Sequence, residues 1–220
     1  MKNRLILASG SPRRIDMFHE HGYDPEIIPS GKEERVPTGL TPEETVLYLS
    51  FLKARDVEER IMREPAFASG KEAGIRTFVV GADTIVWLPD DGTRAAKEAR
   101  GEATYKGKIL GKPKDEEDAR QMLRDLRNCC NHVLTGVTVL EAGTTNRRSF
   151  ADLSKVYMKD YDESFIRAYV ATGETMDKSG GYAVQGGQAE QVLRVEGDIC
   201  NVIGLPWTRT EALLKEMGWE

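Results

Sequence analysis

Two serines and two arginines near the start of the chain have the residue types and the spacing to bind an anion. Ser9 and Ser11 follow a short apolar run, and Pro12, Arg13 and Arg14 come directly after them. Serine before proline is typical of a helix start, so Ser11 is predicted to be the N-cap. Free N–H groups at a helix start and two adjacent cationic side chains favour phosphate. A capped surface helix with solvated arginines is the alternative for this stretch taken alone.

An aspartate in a β-rich run is the second candidate. Asp83 interrupts the apolar sequence of residues 77–87, next to Gly81, which would let a ligand come near. Burying a carboxylate without a partner costs several kcal/mol. We therefore expect Asp83 to face a cation in a cleft or to accept strong hydrogen bonds. A β-bulge with the carboxylate bonded to nearby backbone is the alternative.

Three further charged positions lie where elements begin or end. Lys53 lies beside the apolar face of a long helix that a capping box at Thr41 begins, although a lysine in such a place often only snorkels. Lys112 follows a short strand and is kept out of a helix by the proline after it. In the polar loop after residue 30, either Glu33 or Glu34 is placed to face a metal ion.

Composition limits the class of protein. The chain has 220 residues, 40% of them hydrophobic and 30% charged, which predicts one domain over residues 1–220, in two lobes. A net charge of −5 argues against nucleic acid as the partner. No apolar run approaches the roughly 18 residues that a membrane span needs, and the first residues do not resemble a signal peptide. Three cysteines without disulfide or zinc spacing fit a reduced compartment, so we expect a cytoplasmic protein.

The order of predicted elements is mixed, which favours an α/β fold with a sheet that is not all parallel. Helices are predicted after the caps Thr41, Asp115 and Asp162, and strands over residues 133–140 and 153–158. A glycine-rich loop around a short strand is predicted over residues 178–187. The polar residues 90–107 are predicted to be a solvated insertion, such as a hairpin tip.

Six stretches, taken in chain order, resemble the Maf family of nucleoside triphosphate pyrophosphatases: residues 5–14, 81–84, 110–113, 132–137, 182–186 and 202–206. The resemblance implies a fold like that of inosine triphosphate pyrophosphatases, with a long mixed sheet and two lobes around a central cleft. It also implies a cytoplasmic homodimer that hydrolyses a nucleoside triphosphate to the monophosphate and pyrophosphate. The implied cofactor is a divalent cation, namely magnesium, manganese or cobalt.

The resemblance also assigns roles to individual residues. Asp83 falls on the proton acceptor, and Glu33 with Asp83 on the acidic residues that face the metal. The implied substrate-binding residues are Ser9, Ser11, Arg13, Arg14, Lys53, Thr84, Lys112 and Gln185. Three of these fall on the specificity positions of the branch that acts on dTTP and UTP, with modified pyrimidine nucleotides as further candidates; they are Arg13, Thr84 and Gln185.

Hydrogen-bonding chemistry supports that choice of base. The amide of Gln185 can accept from N3–H of uracil or thymine and donate to a neighbouring oxygen. Arg13 has only hydrogen-bond donors. Placed near position 4 of the base, it would donate to O4 of uracil, whereas it would face the donating amino group of cytosine and so disfavour that base.

The alternative from a different class is a regulator of septum formation that binds a nucleotide without hydrolysing it. Asp83 distinguishes the hydrolase from the regulator, because a protein that only binds a nucleotide gains nothing from a carboxylate placed against its phosphates.

Overall fold

The computed structural model describes residues 3–68, 74–90, 107–185 and 189–219. Most of the predicted insertion over residues 90–107 therefore lies outside the described residues. The chain divides into two compact units: the first comprises residues 1–83, 135–152 and 204–220, and the second comprises residues 84–134 and 153–203. Three long strands contain the division points, so each contributes residues to both units.

The described residues form seven strands and seven α-helices. The strands are β1 (Arg4–Leu7), β2 (Glu26–Ile27), β3 (Thr77–Pro89), β4 (Gly107–Leu110), β5 (Cys130–Glu141), β6 (Arg147–Met158) and β7 (Val192–Glu196). The helices are α1 (Pro12–Glu20), α2 (Pro42–Ile61), α3 (Pro65–Ala68), α4 (Glu116–Leu126), α5 (Glu163–Ala171), α6 (Ile199–Ile203) and α7 (Trp207–Glu216). Two 3₁₀ turns lie at Ser179–Gly181 and Ala189–Gln191.

All seven strands belong to one mixed sheet, which confirms the predicted α/β class. The strand order is β2-β1-β3-β5-β6-β7, with β4 paired to β3 outside this path. β1 runs parallel to β2 and β3, whereas β4 is antiparallel to β3 and β7 is antiparallel to β6. None of the helices in the described ranges has the length and apolar character to cross a membrane.

Side-chain caps define where three of the helices begin, as the sequence predicts. The hydroxyl of Thr41 accepts from the backbone N–H of Glu44, whose carboxylate accepts from the Thr41 N–H, so α2 begins with a complete capping box. Asp115 and Asp162 accept first-turn N–H groups at the starts of α4 and α5. These bonds fix the position at which each helix leaves the preceding loop.

Each unit has its own apolar core. In the first, one face of α2 packs on residues of β1, β3 and β5; the buried cluster contains Ile6, Ala8, Ala54, Val57, Ile61, Val79, Leu140 and Ala142. In the second, α4 and α5 bury apolar stripes against the strands; the cluster includes Val86, Leu110, Leu123, Leu126, Val133, Val156, Ile166 and Tyr169. Both helices thus show the apolar periodicity that predicts them.

Two predictions about strands are wrong. β3 is continuous over Thr77–Pro89, so Asp83 lies within the strand and does not interrupt it. The glycine-rich segment contains no strand in its described part: Ser179–Gly181 is a 3₁₀ turn and residues 182–185 are irregular. Gly180 and Gly181 have φ values of 74° and 69°, which are incompatible with an extended strand.

Candidate active site

Ser9 lies at the end of β1, where the chain turns into α1, and it binds the buried arginine of that helix. Its hydroxyl oxygen accepts from the Ser11 N–H and from Nη1 of Arg14, both at 3.2 Å. Nε of Arg14 donates to the carbonyl of Gly204 at 2.8 Å. The predicted cap is confirmed in position, because α1 begins after Ser11 with Pro12 first, although the Ser11 side chain makes no capping bond.

Arg14 is a buried cation held in a fixed orientation. Burial lowers its pKa, and the negative charge of Asp83 opposes this shift. A guanidinium nevertheless remains protonated at neutral pH. Because two bonds orient it, Arg14 supplies a full positive charge at the start of α1 without losing side-chain entropy on binding an anion. Arg13, its neighbour, is only half-buried.

The second group consists of one lysine between two carboxylates. Nζ of Lys53, on α2, lies 2.5 Å from Oδ1 of Asp83 on β3 and 2.9 Å from Oε1 of Glu34. Lys53 and Asp83 are mostly buried, with 15% and 9% of their side chains exposed, whereas Glu34 is half exposed. Lys53 therefore does more than snorkel: its ammonium ion is the cation that the sequence predicts for Asp83 to face.

A glycine of β3 allows this contact. A Cβ atom on Gly81 would lie 2.3 Å from the carbonyl oxygen of Ser50 and 2.8 Å from the N of Ala54. Both of these are backbone atoms of α2, so only glycine lets the helix approach the strand so closely. Gly81 and Asp83 are two residues apart on one strand and hence on the same face. The close approach brings Lys53 to Asp83.

Of the two neighbouring glutamates, the structure brings Glu34 to the lysine and not Glu33. Glu33 lies in the exposed loop, and its carboxylate pairs with Nε of Arg35 at 2.9 Å. The residues alone left Glu33 and Glu34 open and the motif resemblance implied Glu33, whereas Glu34 is the one that contacts Lys53. Within the described residues, no group of three or more His, Cys, Asp or Glu side chains is arranged to hold a metal ion.

The other three substrate-binding candidates belong to the second unit and are connected to one segment, residues 179–185. The hydroxyl of Ser179 donates to the carbonyl of Thr84 at 3.1 Å, and the Gly180 N–H donates to the carbonyl of Gly111, next to Lys112, at 3.0 Å. Lys112 is exposed after β4, and Gln185 is exposed at the end of this segment. The same segment therefore braces the backbone at Thr84 and beside Lys112, and it carries Gln185.

An α/β fold with one buried arginine at a strand-to-helix turn, and an aspartate against a lysine, fits the class of phosphate-binding proteins with a candidate proton acceptor. The family model described as "Maf-like protein" matches residues 4–217. The chain belongs to this family, which confirms the resemblance seen in its motifs.

Curated relatives cover the whole chain. It is 36% identical to a dTTP/UTP pyrophosphatase of Dictyoglomus thermophilum, over 100% of this chain and 98% of the relative. It is 39% identical to a protein of the same name from Pelotomaculum thermopropionicum, over 98% of this chain and 97% of the relative. Among solved structures it is similar to the Ham1 protein of Staphylococcus aureus, with 17% identity, a TM-score of 0.44, and coverage of 98% and 99% of the two chains.

Proposed function

We propose that this protein is a nucleoside triphosphate pyrophosphatase that hydrolyses dTTP and UTP to the monophosphate and pyrophosphate. The observation that carries the proposal is the contact of Lys53 with Asp83, next to the oriented cation Arg14, in a chain 36% and 39% identical to proteins named dTTP/UTP pyrophosphatase. House-cleaning of nucleotide pools, including modified pyrimidine nucleotides, is the role that this activity would serve.

The cationic side chains bind the triphosphate. A nucleoside triphosphate carries roughly four negative charges near neutral pH, and Arg13, Arg14, Lys53 and Lys112 supply four positive ones, while a divalent cation would balance the carboxylates of Asp83 and Glu34. Ser9 adds a hydroxyl at the start of α1, and the first N–H groups of that helix face anions favourably. As the bond to the leaving pyrophosphate breaks, negative charge grows on its oxygens, so fixed cations stabilise the transition state more than the ground state.

Asp83 is the proton acceptor in this proposal. Its carboxylate takes a proton from a water molecule that attacks the α-phosphorus, and the electron pair of the broken bond leaves with the pyrophosphate oxygen. No covalent intermediate is required. Lys53 orients the carboxylate by its bond to Oδ1, so the base is held in place before substrate binds.

A divalent cation fits the same acidic pair. Asp83 and Glu34 bring two carboxylates to a single ammonium ion, so the three groups together keep a net negative charge that favours a further cation. Carboxylate oxygens are ligands for magnesium or manganese, and magnesium is usually held by one or two carboxylates together with substrate phosphates. When bound, the cation would neutralise negative charge on the phosphate oxygens. Glu33 as a ligand rests only on the motif resemblance.

Base selection is assigned to Gln185 and Thr84, together with Arg13. An exposed glutamine amide at the end of a braced segment can accept from N3–H of uracil or thymine and donate to an adjacent carbonyl oxygen. A mismatched donor or acceptor should cost about tenfold to a hundredfold in kcat/KM.

We also propose that the protein is a homodimer in the cytoplasm, as the family resemblance implies.

The test is a panel of nucleoside triphosphates, with magnesium, manganese or cobalt, in which both products are identified. We expect pyrophosphate release, with UTP and dTTP preferred over CTP and GTP, and we expect Gln185→Ala to reduce the UTP preference by about tenfold or more. Gln121→Ala, an exposed glutamine of α4, is the matched control. Release of orthophosphate would contradict the proposed bond cleavage. Tight nucleotide binding without any hydrolysis would favour a regulator instead.

A further inference from the structure

The backbone at Ala183, two residues before Gln185, is held by two buried side chains. The Ala183 N–H donates to the hydroxyl of Tyr169 at 3.1 Å, and Nε2 of Gln191 donates to the Ala183 carbonyl at 3.1 Å. Tyr169 is 1% exposed and Gln191 is 2% exposed. Residues 182–185 belong to no strand, so these side chains replace the ladder bonds that a strand would make.

The neighbouring tyrosine anchors the same backbone to the core. The hydroxyl of Tyr182 donates to Oδ1 of Asn131 at 2.8 Å, and Nδ2 of Asn131 donates to the carbonyl of Val156. Burial raises the pKa of Tyr182 far above its ordinary value, so the phenol stays a neutral donor. The segment before Gln185 is thus tied to α5, to the turn before β7 and to two strands.

We propose that Tyr169 and Gln191 are positioning residues for base selection, which fix Ala183 and thereby orient the amide of Gln185. This inference rests on the proposed function of Gln185. A glutamine amide reads uracil and cytosine equally well if it is free to rotate, because it carries both a donor and an acceptor. Holding the backbone two residues away fixes where the side chain of Gln185 begins, and so narrows the positions from which its amide can reach a base. Preorganisation of this kind improves discrimination without any contact between the two residues and the nucleotide.

The test deletes one oxygen atom. Tyr169→Phe removes the acceptor for the Ala183 N–H and leaves the ring in place. The matched control is Tyr161→Phe, because Tyr161 is buried in the same core cluster but donates to the carbonyl of Leu123 on α4. Gln191→Met is a second variant of similar shape that removes the donor to Ala183.

We expect the ratio of kcat/KM for UTP to that for CTP to fall about fivefold to tenfold in Tyr169→Phe and in Gln191→Met, chiefly through a higher KM for UTP. In Tyr161→Phe the ratio should stay within about twofold of the parent. Amide hydrogen exchange should become faster at Ala183 in Tyr169→Phe and stay unchanged there in Tyr161→Phe. A merely stabilising role would lower the melting temperature of both tyrosine variants and leave the ratio alone.

The results separate the two hypotheses. If Gln185→Ala abolishes the UTP preference while Tyr169→Phe and Gln191→Met retain it, the positioning inference is wrong and the proposed function stands. An equal loss of preference in Tyr161→Phe, or unchanged exchange at Ala183 in Tyr169→Phe, overturns the inference as well. If the parent enzyme hydrolyses CTP as efficiently as UTP, the proposed base selection itself fails, and the inference fails with it.

Discussion

Asp83 is the residue on which the proposed hydrolysis depends, because its buried carboxylate lies against Lys53. Replacing it with asparagine keeps the size of the side chain and removes the proton acceptor. We expect Asp83→Asn to lower kcat for UTP by about a hundredfold or more, with the fold retained. The control is Asp125→Asn, which removes a partly buried carboxylate that also pairs with a lysine, Lys108. If folded Asp83→Asn hydrolysed UTP at a near-normal rate, another group would have to be the proton acceptor.

The two adjacent glutamates provide a prediction in which each is the control for the other. Glu34 lies 2.9 Å from Lys53, whereas Glu33 pairs with Arg35 in the exposed loop. Glu34→Gln should lower kcat/KM and raise the magnesium concentration for half-maximal rate, each by about tenfold or more. Glu33→Gln should stay within about twofold of the parent, since an exposed ion pair contributes little. The reverse pattern would show that the loop rearranges when substrate binds.

At the scale of residues, sequence reasoning placed most of the first unit's charged group. Ser9 and Arg14 lie at the turn from β1 into α1, and Lys53 lies on α2, as the strand and helix signals predict, whereas Asp83 lies within the continuous strand β3. Glu33 and Glu34 could not be separated from the sequence, because their loop has no periodicity and consecutive side chains in such a loop cannot be assigned to a face. A structure was needed to choose between two identical neighbours.

Gly81 determines how closely α2 approaches β3. A Cβ atom at this position would lie 2.3 Å from a helix carbonyl, and backbone atoms cannot move aside cheaply. We expect Gly81→Ala to destabilise the protein by about 2–3 kcal/mol, which lowers the melting temperature by about 5–10 °C. It should also reduce kcat, because the displaced helix carries Lys53. In Gly31→Ala the added Cβ meets no atom within 4 Å, so this control should leave the melting temperature nearly unchanged. A stable and fully active Gly81→Ala would refute this account.

At the scale of elements, capped helices were the most predictable and irregular segments the least. Each predicted cap, at Ser11, Thr41, Asp115 and Asp162, begins a helix in the structure. Strand ends were less certain: the prediction of residues 133–140 falls short of Cys130–Glu141. Ladder bonds to neighbouring strands decide where a strand ends, and these bonds are not local in sequence. The bonds from Tyr169 and Gln191 to Ala183 were missed for the same reason.

At the scale of the whole molecule, the mixed α/β class follows from the order of elements, but the strand order does not. β1 pairs in parallel with β3, with Arg4 opposite Thr77. A long stretch of chain that contains α1 and α2 separates the two strands. Parallel pairing requires such a crossover. Many registers satisfy that requirement equally well in sequence, so packing of α2 on the sheet selects the one observed.

Within the first unit, Arg76 links the residues that follow α7 to the carboxylate of Glu141. This ion pair makes the free energy of unfolding depend on pH. Arg76 donates to both oxygens of Glu141, at 2.8 and 2.9 Å, and also to the carbonyls of Met217 and Gly218 after α7. The bonds from Arg76 lower the pKa of Glu141 below its ordinary value of 4.5. A carboxyl whose pKa is lower in the folded state contributes stability that is complete above the unfolded pKa. That contribution is lost as pH falls through the folded pKa.

We therefore expect Glu141→Gln to reduce the free energy of unfolding by about 1.5–3 kcal/mol at pH 7, because it leaves a guanidinium with a neutral partner. The difference from the parent should persist down to about pH 4.5 and shrink below it, since the parent carboxyl then becomes protonated as well. Urea unfolding of both proteins between pH 7 and pH 3 measures this. Glu216→Gln is the control: its carboxylate pairs with Arg148 at 3.2 Å, with both side chains more than half exposed, and should contribute little at any pH. A pH-independent difference for Glu141→Gln would mean that packing, and not the charge of Glu141, holds the chain end.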